Sequence, residues 1–255
     1  MRSGGKFILV SAVLLILAAS ILMAGCTTEQ KNLNVYAGAG LKKPMDTVIA
    51  KYSKEKGINI TPNYGPSGGL YSQIKEGQPC DVYVSADWLY IEKLENESML
   101  SDSQKFLNEN VVLVVSETGE KKGIKTASDL TKDNIVVAVC DPNAPVGKYS
   151  ENVLKSLGLW DQLNEKGNIK ARPSTVNQVG LMVQNDEVDA GFLYGSTALL
   201  YNLTYKEKYP NSLSGEIIFG IGLIKGDKED VSRDFMNYLI ENSDEFTKYG
   251  WEKYA

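Results

Sequence analysis

The sequence predicts an α/β fold built as two lobes, and three observations predict it. From residue 33 onward, short apolar runs alternate with helical patterns, an order that calls for a mostly parallel sheet covered by helices. The turns after the first three strands are rich in Gly and Ser: Gly38-Ala39-Gly40, Gly65-Pro66-Ser67-Gly68-Gly69 and Ser85-Ala86-Asp87. The same style then returns in the second half, with no low-complexity linker between the halves.

Leu33 to Ala37 reads as the first strand. The helix after it carries Leu41, Met45, Val48, Ile49 and Tyr52 on one face, tolerates Pro44 in its first turn and stops at Gly57. Ile58 to Tyr64 is the second strand, followed by a helix through Leu70, Tyr71 and Ile74. Asp81 to Ser85 is the third, and Asp87 is suited to cap the helix through Leu94. Further strands are predicted at Val111 to Val115, Ile135 to Val139, Val188 to Tyr194 and Ile217 to Ile224. Between them come a short helix capped by Ser128 and helices from Lys148, from Val176 to Asn185 and from Gly195 to Tyr201. One or two helices close the chain between Val231 and Tyr249. The strands near Val111 and Ile218 read as crossings between lobes. Lobe I is expected to take residues 33–109 and 220–255, and lobe II residues 110–219.

The first 25 residues read as an export signal and stand apart from the fold. Arg2 and Lys6 precede an uncharged run from Phe7 to Ala24, and Leu22-Met23-Ala24-Gly25-Cys26 resembles a lipobox. Cys26 is then the expected lipidation site, and residues 26–32 a lipidated tether to the outer face of the cytoplasmic membrane. Removing the signal takes the net charge from −5 to −7, since Arg2 and Lys6 are lost with it. That balance argues against a nucleic-acid partner.

The chain of 255 residues contains no histidine. His-based triads, His-ligated metal sites and the commonest neutral-pH general base are therefore excluded. Gly65-Pro66-Ser67-Gly68-Gly69 fits the pattern of a nucleophile elbow, but Ser67 has no histidine, and no lysine follows it by one turn. No phosphate-binding G-x-x-x-x-G-K-S/T occurs. The chain reads as no enzyme. In a parallel sheet the Gly- and Ser-rich turns share the carboxyl edge, where ligands bind. Helix N-termini there offer free N–H groups and partial positive charge, which suits an anion.

These residues together resemble the molybdate/tungstate-binding proteins of ABC importers, which have the type II periplasmic binding-protein fold. The resemblance spans residues 33 to 250. It is strongest in Val35-Tyr36-Ala37-Gly38-Ala39-Gly40-Leu41, Tyr64-Gly65-Pro66-Ser67-Gly68-Gly69-Leu70, Cys80 to Asp87, Asp141 to Gly147 and Tyr194-Gly195-Ser196. That family holds a tetrahedral dianion between its lobes with hydroxyls and backbone N–H groups. The resemblance implies a hydroxyl donor at Ser67, a phenol donor at Tyr194 and backbone donors at Ala86, Val146 and Val176. At Gly40 the family usually has serine, so the N–H remains and one hydroxyl is lost; Ser72 and Ser85 are the nearby candidates to compensate, and a water is the alternative. A subgroup adds two carboxylates for octahedral binding. They would fall near Ala144 and Leu193, neither acidic, which implies tetrahedral binding.

The resemblance also implies a monomer without a cofactor, serving an ABC permease and ATPase. The alternatives are the same fold holding another small anion, such as sulfate, or acting as a surface ligand sensor. Cys80 and Cys140 are expected in different lobes, beyond disulfide reach.

Overall fold

A computed structural model describes residues 32–254 of the chain. The expected export signal and the lipidation site at Cys26 lie outside the described residues. Two mixed sheets form the body. In the first, β1 (Asn32–Gly38) lies between β2 (Asn59–Gly65) and β3 (Val82–Ser85), all parallel. β4 (Leu100–Glu109), β10 (Ile217–Ile224) and the two-residue β11 (Glu252–Lys253) complete it in the order β11-β4-β10-β3-β1-β2. β10 runs antiparallel to both β3 and β4, so the sheet is less parallel than the sequence predicts.

The second sheet has the order β7-β6-β8-β5-β9. Its strands are β5 (Val111–Val115), β6 (Val137–Ala138), β7 (Ile169–Ala171), β8 (Ala190–Tyr194) and β9 (Tyr205–Lys208). β6 is parallel to β7 and β8, whereas β5 is antiparallel to β8 and β9. β5 and β8 are buried along their whole length, hence their unbroken apolar sequences.

Helices cover the sheets because each carries an apolar stripe. α1 (Lys42–Lys56) buries Pro44, Met45, Val48, Ile49 and Tyr52. It ends at Gly57, whose φ of 68° is left-handed, and the Gly57 N–H closes the last turn on the Ser53 carbonyl at 3.0 Å. α2 (Ser67–Lys75) follows β2, and α3 (Trp88–Asn96) follows β3 with Asp87 accepting the Leu89 N–H at 2.9 Å, as expected of its cap. In the second half, the short helix α4 (Glu117–Lys121) comes directly after β5 and precedes a 3-10 turn (Ala127–Thr131). That turn is capped by Thr126 in a box with Asp129, not by Ser128. α5 (Pro145–Ser156) begins earlier than expected, at the proline, whose absent N–H costs nothing there. After α6 (Trp160–Glu165), α7 (Val176–Gln184) precedes β8 and α8 (Gly195–Leu200) follows it. A single turn, α9 (Asn211–Ser214), leads to β10. α10 (Glu229–Glu241) and α11 (Asp244–Thr247) then return to the first sheet, where Phe235 and Tyr238 pack their rings edge-on against Tyr52.

β4 is the element the sequence conceals. Its residues Leu-Ser-Asp-Ser-Gln-Lys-Phe-Leu-Asn-Glu show no alternation, and half of them are half-buried. Pairing with β10 on one side and β11 on the other makes it a strand; tertiary context overrides propensity. The chain passes between sheets twice. The first passage is Asn110, between Glu109 of β4 and Val111 of β5. The second runs from β9 to β10, which enters the first sheet at Ile217. Asn110 ties the passages together, its Nδ2 donating to the Tyr209 carbonyl at 3.4 Å and to Asn211 Oδ1 at 3.2 Å.

Both described cysteines are free. Cys80 precedes β3 of the first sheet and Cys140 follows β6 of the second. Burial pushes the Cys140 thiol up to about 12, with Arg172 pulling back, so it stays protonated.

Candidate functional site

All six residues singled out for the site (Gly40, Ser67, Ala86, Val146, Val176 and Tyr194) line one cavity between the two sheets. Four helix N-termini converge there. Gly38, Ala39 and Gly40 form the turn into α1; Pro66 and Ser67 open α2; Ala144, Pro145 and Val146 open α5; Thr175 and Val176 open α7. The first N–H groups of a helix have no acceptor within it. The N–H groups of Gly40, Ser67, Val146 and Val176 are donors of this kind, and four partial positive charges add at one point. Every lining residue is uncharged. The cavity is small, about 20 Å³, which suits a compact ion and not a sugar or an amino acid.

Two side-chain hydroxyls complete the wall. Tyr194 ends β8 and is 2% exposed, yet its hydroxyl has no hydrogen-bond partner among the described residues. Burial, and then the neighbouring Tyr149 and Asp87, hold its phenol far above its ordinary value, so it remains a proton donor. The Tyr194 ring is fixed edge-on against Phe219 of β10, with centroids 5.6 Å apart. Ser67 is also buried, and its Oγ accepts the Ala86 N–H at 3.0 Å. Two of the expected donors are thus bonded to each other. The Ser67 proton is free to be donated, while the Ala86 N–H reaches a ligand only if the Ser67 side chain turns or shares it.

The expected substitutes for a hydroxyl at position 40 are both engaged elsewhere. Ser72 Oγ donates to the Gly68 carbonyl at 3.1 Å, one turn back in its own helix. Ser85 Oγ donates to the Asp87 carbonyl at 2.8 Å and accepts from Asp87 N and from Tyr83 Oη. Ser and Thr satisfy themselves on nearby backbone in this way, so neither is available to a ligand.

Contacts between the sheets' helices close the cavity. The Gly68 N–H donates to the Asn143 carbonyl at 3.2 Å. Asn177, next to Val176, donates through Nδ2 to the Ala39 carbonyl at 2.7 Å. Asn177 carries no sequence signal, since a polar residue in the first turn of a helix reads as an ordinary surface position.

Gly147 permits the second-lobe loop. A Cβ there would lie 2.5 Å from the Cys140 carbonyl oxygen and also strike that of Asp141. Gly147→Ala is therefore expected to cost about 1–3 kcal/mol of stability and to weaken ligand binding by shifting Val146; urea unfolding and ligand titration of the same variant check both.

A two-lobed cleft lined by helix N-termini and hydroxyls, without charged side chains, defines a binder of a small anionic solute. The chain matches the profile of the bacterial extracellular solute-binding protein family over residues 33–252 and belongs to that family. It is 28% identical over 252 residues to the putative ABC transporter substrate-binding lipoprotein YvgL of Bacillus subtilis, covering 92% of this chain and 95% of that protein. It is 24% identical to the molybdate-binding protein ModA of Escherichia coli, over 92% of this chain and 94% of that one. Among solved structures, the substrate binding domain of a putative molybdenum ABC transporter from Clostridium difficile superposes with a TM-score of 0.67 at 29% identity, covering 88% of this chain and 99% of that one.

Proposed function

We propose that this protein captures molybdate or tungstate as a tetrahedral dianion outside the cytoplasmic membrane and delivers it to an ABC permease driven by an ATPase. The observation that carries the reading is the cavity wall: four helix N-termini and the unpartnered Tyr194 hydroxyl, with no charged residue. The names of the relatives, a molybdate-binding protein and a molybdenum transporter domain, supply the identity of the anion.

In this reading the N–H groups of Gly40, Ala86, Val146 and Val176 and the hydroxyls of Ser67 and Tyr194 surround the four oxygens. Donors dominate the wall. A dianion with no proton is satisfied, whereas the proton of monoprotonated phosphate meets an acceptor-poor site, with only the Ser67 and Tyr194 hydroxyl oxygens among the proposed ligands able to accept. Sulfate is a smaller ion, and selectivity against it rests on cavity size. Ala144 and Leu193 bring no carboxylate, so the metal keeps four oxygens. No cofactor and no catalytic step are required, and the protein acts as a monomer. Lobe I (expected at residues 33–109 and 220–255) and lobe II (expected at 110–219) close on the anion about the two passages, although Ile217 to Phe219 pair with β4 and so belong with lobe I. Cys26 carries the lipid anchor, a role supported by the lipoprotein name of the Bacillus relative. A membrane-extracted protein with its first 25 residues intact would contradict that anchor.

The test is a set of melting curves on ligand-stripped protein with molybdate, tungstate, sulfate and phosphate. At a hundred times Kd a ligand adds about 2.7 kcal/mol, a rise of roughly 5–11 °C for a protein of this size. Shifts with molybdate and tungstate alone are expected. A shift with sulfate or phosphate of equal size would move the reading to another anion.

A further inference from the structure

The geometry points to Thr197 as a further ligand-binding residue: we infer that its hydroxyl supplies the hydrogen bond that position 40, being glycine, does not. This rests on the oxyanion reading above. The first observation is the space beside Gly40. A Cβ built there would meet only Val176 Cγ1, at 3.1 Å, and Thr197 Oγ1, at 3.7 Å. The Thr197 hydroxyl therefore borders the volume that a side chain at position 40 would enter, one layer behind Gly40 and Val176, which line the cavity itself.

The second observation is that this hydroxyl is unspent. Thr197 is fully buried, and its Oγ1 has no hydrogen-bond partner among the described residues. Buried hydroxyls nearly always find one. A threonine inside a helix usually bonds the carbonyl four residues back. Thr197 stands in the first turn of α8, so the residue four back is Leu193, in β8 and outside the helix. Local backbone does not consume this hydroxyl as it consumes those of Ser72 and Ser85.

The third observation is placement. Thr197 sits one turn beyond Tyr194, whose hydroxyl is also unpartnered among the described residues. The hydroxyl of Ser196, between them, is unpartnered as well, but Ser196 lies against Glu109, which accepts its N–H at 3.3 Å and lies next to its side chain. One strand-to-helix turn thus presents two hydroxyls to one anion, the phenol directly and the threonine across the volume beside Gly40. A single bridging water can span that volume at little loss. The exchange also moves a donor from the first sheet's side of the cleft to the second's.

Thr197→Val keeps the shape and removes the hydroxyl; Thr197→Ser keeps the hydroxyl and removes the methyl. Both, with wild type, are titrated calorimetrically with molybdate after stripping, and their ligand-free melting is recorded. Thr197→Val is expected to bind about 10- to 100-fold more weakly and to melt no lower than wild type without ligand. Thr197→Ser is expected to stay within about threefold of wild type, as a hydroxyl in the same place predicts. Equal affinity of Thr197→Val and wild type overturns the inference. So does equal weakening by both variants, which would assign the effect to packing of the methyl. Thr197→Ala provides the same readout if valine disturbs the fold. Failure of the wild type itself to bind molybdate would instead remove the oxyanion reading, and this inference with it.

Discussion

Tyr194→Phe is expected to weaken molybdate binding about 10- to 100-fold while the ligand-free protein melts no lower, and even higher. The two effects have opposite signs because the same group is responsible for both. In the structure the Tyr194 hydroxyl is buried without a partner among the described residues. An unsatisfied buried polar group costs roughly 1–3 kcal/mol, so deleting the oxygen relieves the fold. The ring remains, with its edge-on contact to Phe219. In the complex the phenol donates to a dianion, a bond worth about 1.5–3 kcal/mol. A merely structural tyrosine would lose stability and affinity together. Paired melting and titration of this one variant separates the cases. Ser67→Ala is expected to weaken binding less, because its loss also frees the Ala86 N–H that Ser67 now accepts.

The second large effect is on stability and depends on pH. Glu109 ends β4 at the passage between the sheets and is buried. Its Oε1 accepts the Asn110 N–H at 2.8 Å and its Oε2 the Ser196 N–H at 3.3 Å. No ion pair reaches it among the described residues; the Lys208 ammonium acts only at a distance. Burial therefore outweighs the hydrogen bonds from Ser196 and Asn110, and the carboxyl is pushed up to about 7. Between the unfolded value near 4.5 and about 7, the folded protein keeps a proton that the unfolded chain has released. Stability from this group is complete below the lower value and is lost as pH rises through the upper one. At about 1.4 kcal/mol per pH unit, the loss is roughly 3–4 kcal/mol. Glu109→Gln cannot titrate. Urea unfolding from pH 5 to 8 is expected to show the wild type falling relative to the variant and the two running parallel above pH 8. Parallel curves throughout would mean that Glu109 is ionised in the folded state like any exposed carboxylate.

β1, β3, β6 and β8 were legible because they are buried and apolar and the helices around them are amphipathic, whereas β7, which runs parallel to β6, was not, being three residues with none buried. The cavity was legible for a related reason. Glycine and serine after a strand announce a helix N-terminus, and topology gathers those termini at one edge. β4 was not legible, since its polar residues become a strand only through partners more than a hundred residues away. The roles drawn for Ser72 and Ser85 failed on a local rule, that such hydroxyls bond their own backbone first. Thr197 and Asn177 could not be found from the chain alone. What distinguishes them is a distance, from Thr197 to the space beside Gly40 and from Asn177 to the Ala39 carbonyl. No periodicity encodes either.

In the proposed reading, neutral donors at helix N-termini hold one tetrahedral dianion in this cavity. Calorimetric titration of molybdate into the ligand-stripped protein, repeated in the presence of excess sulfate, is the sharpest test. One site per chain and an affinity little changed by sulfate are expected. No binding, or binding that sulfate abolishes at comparable concentration, would contradict that reading.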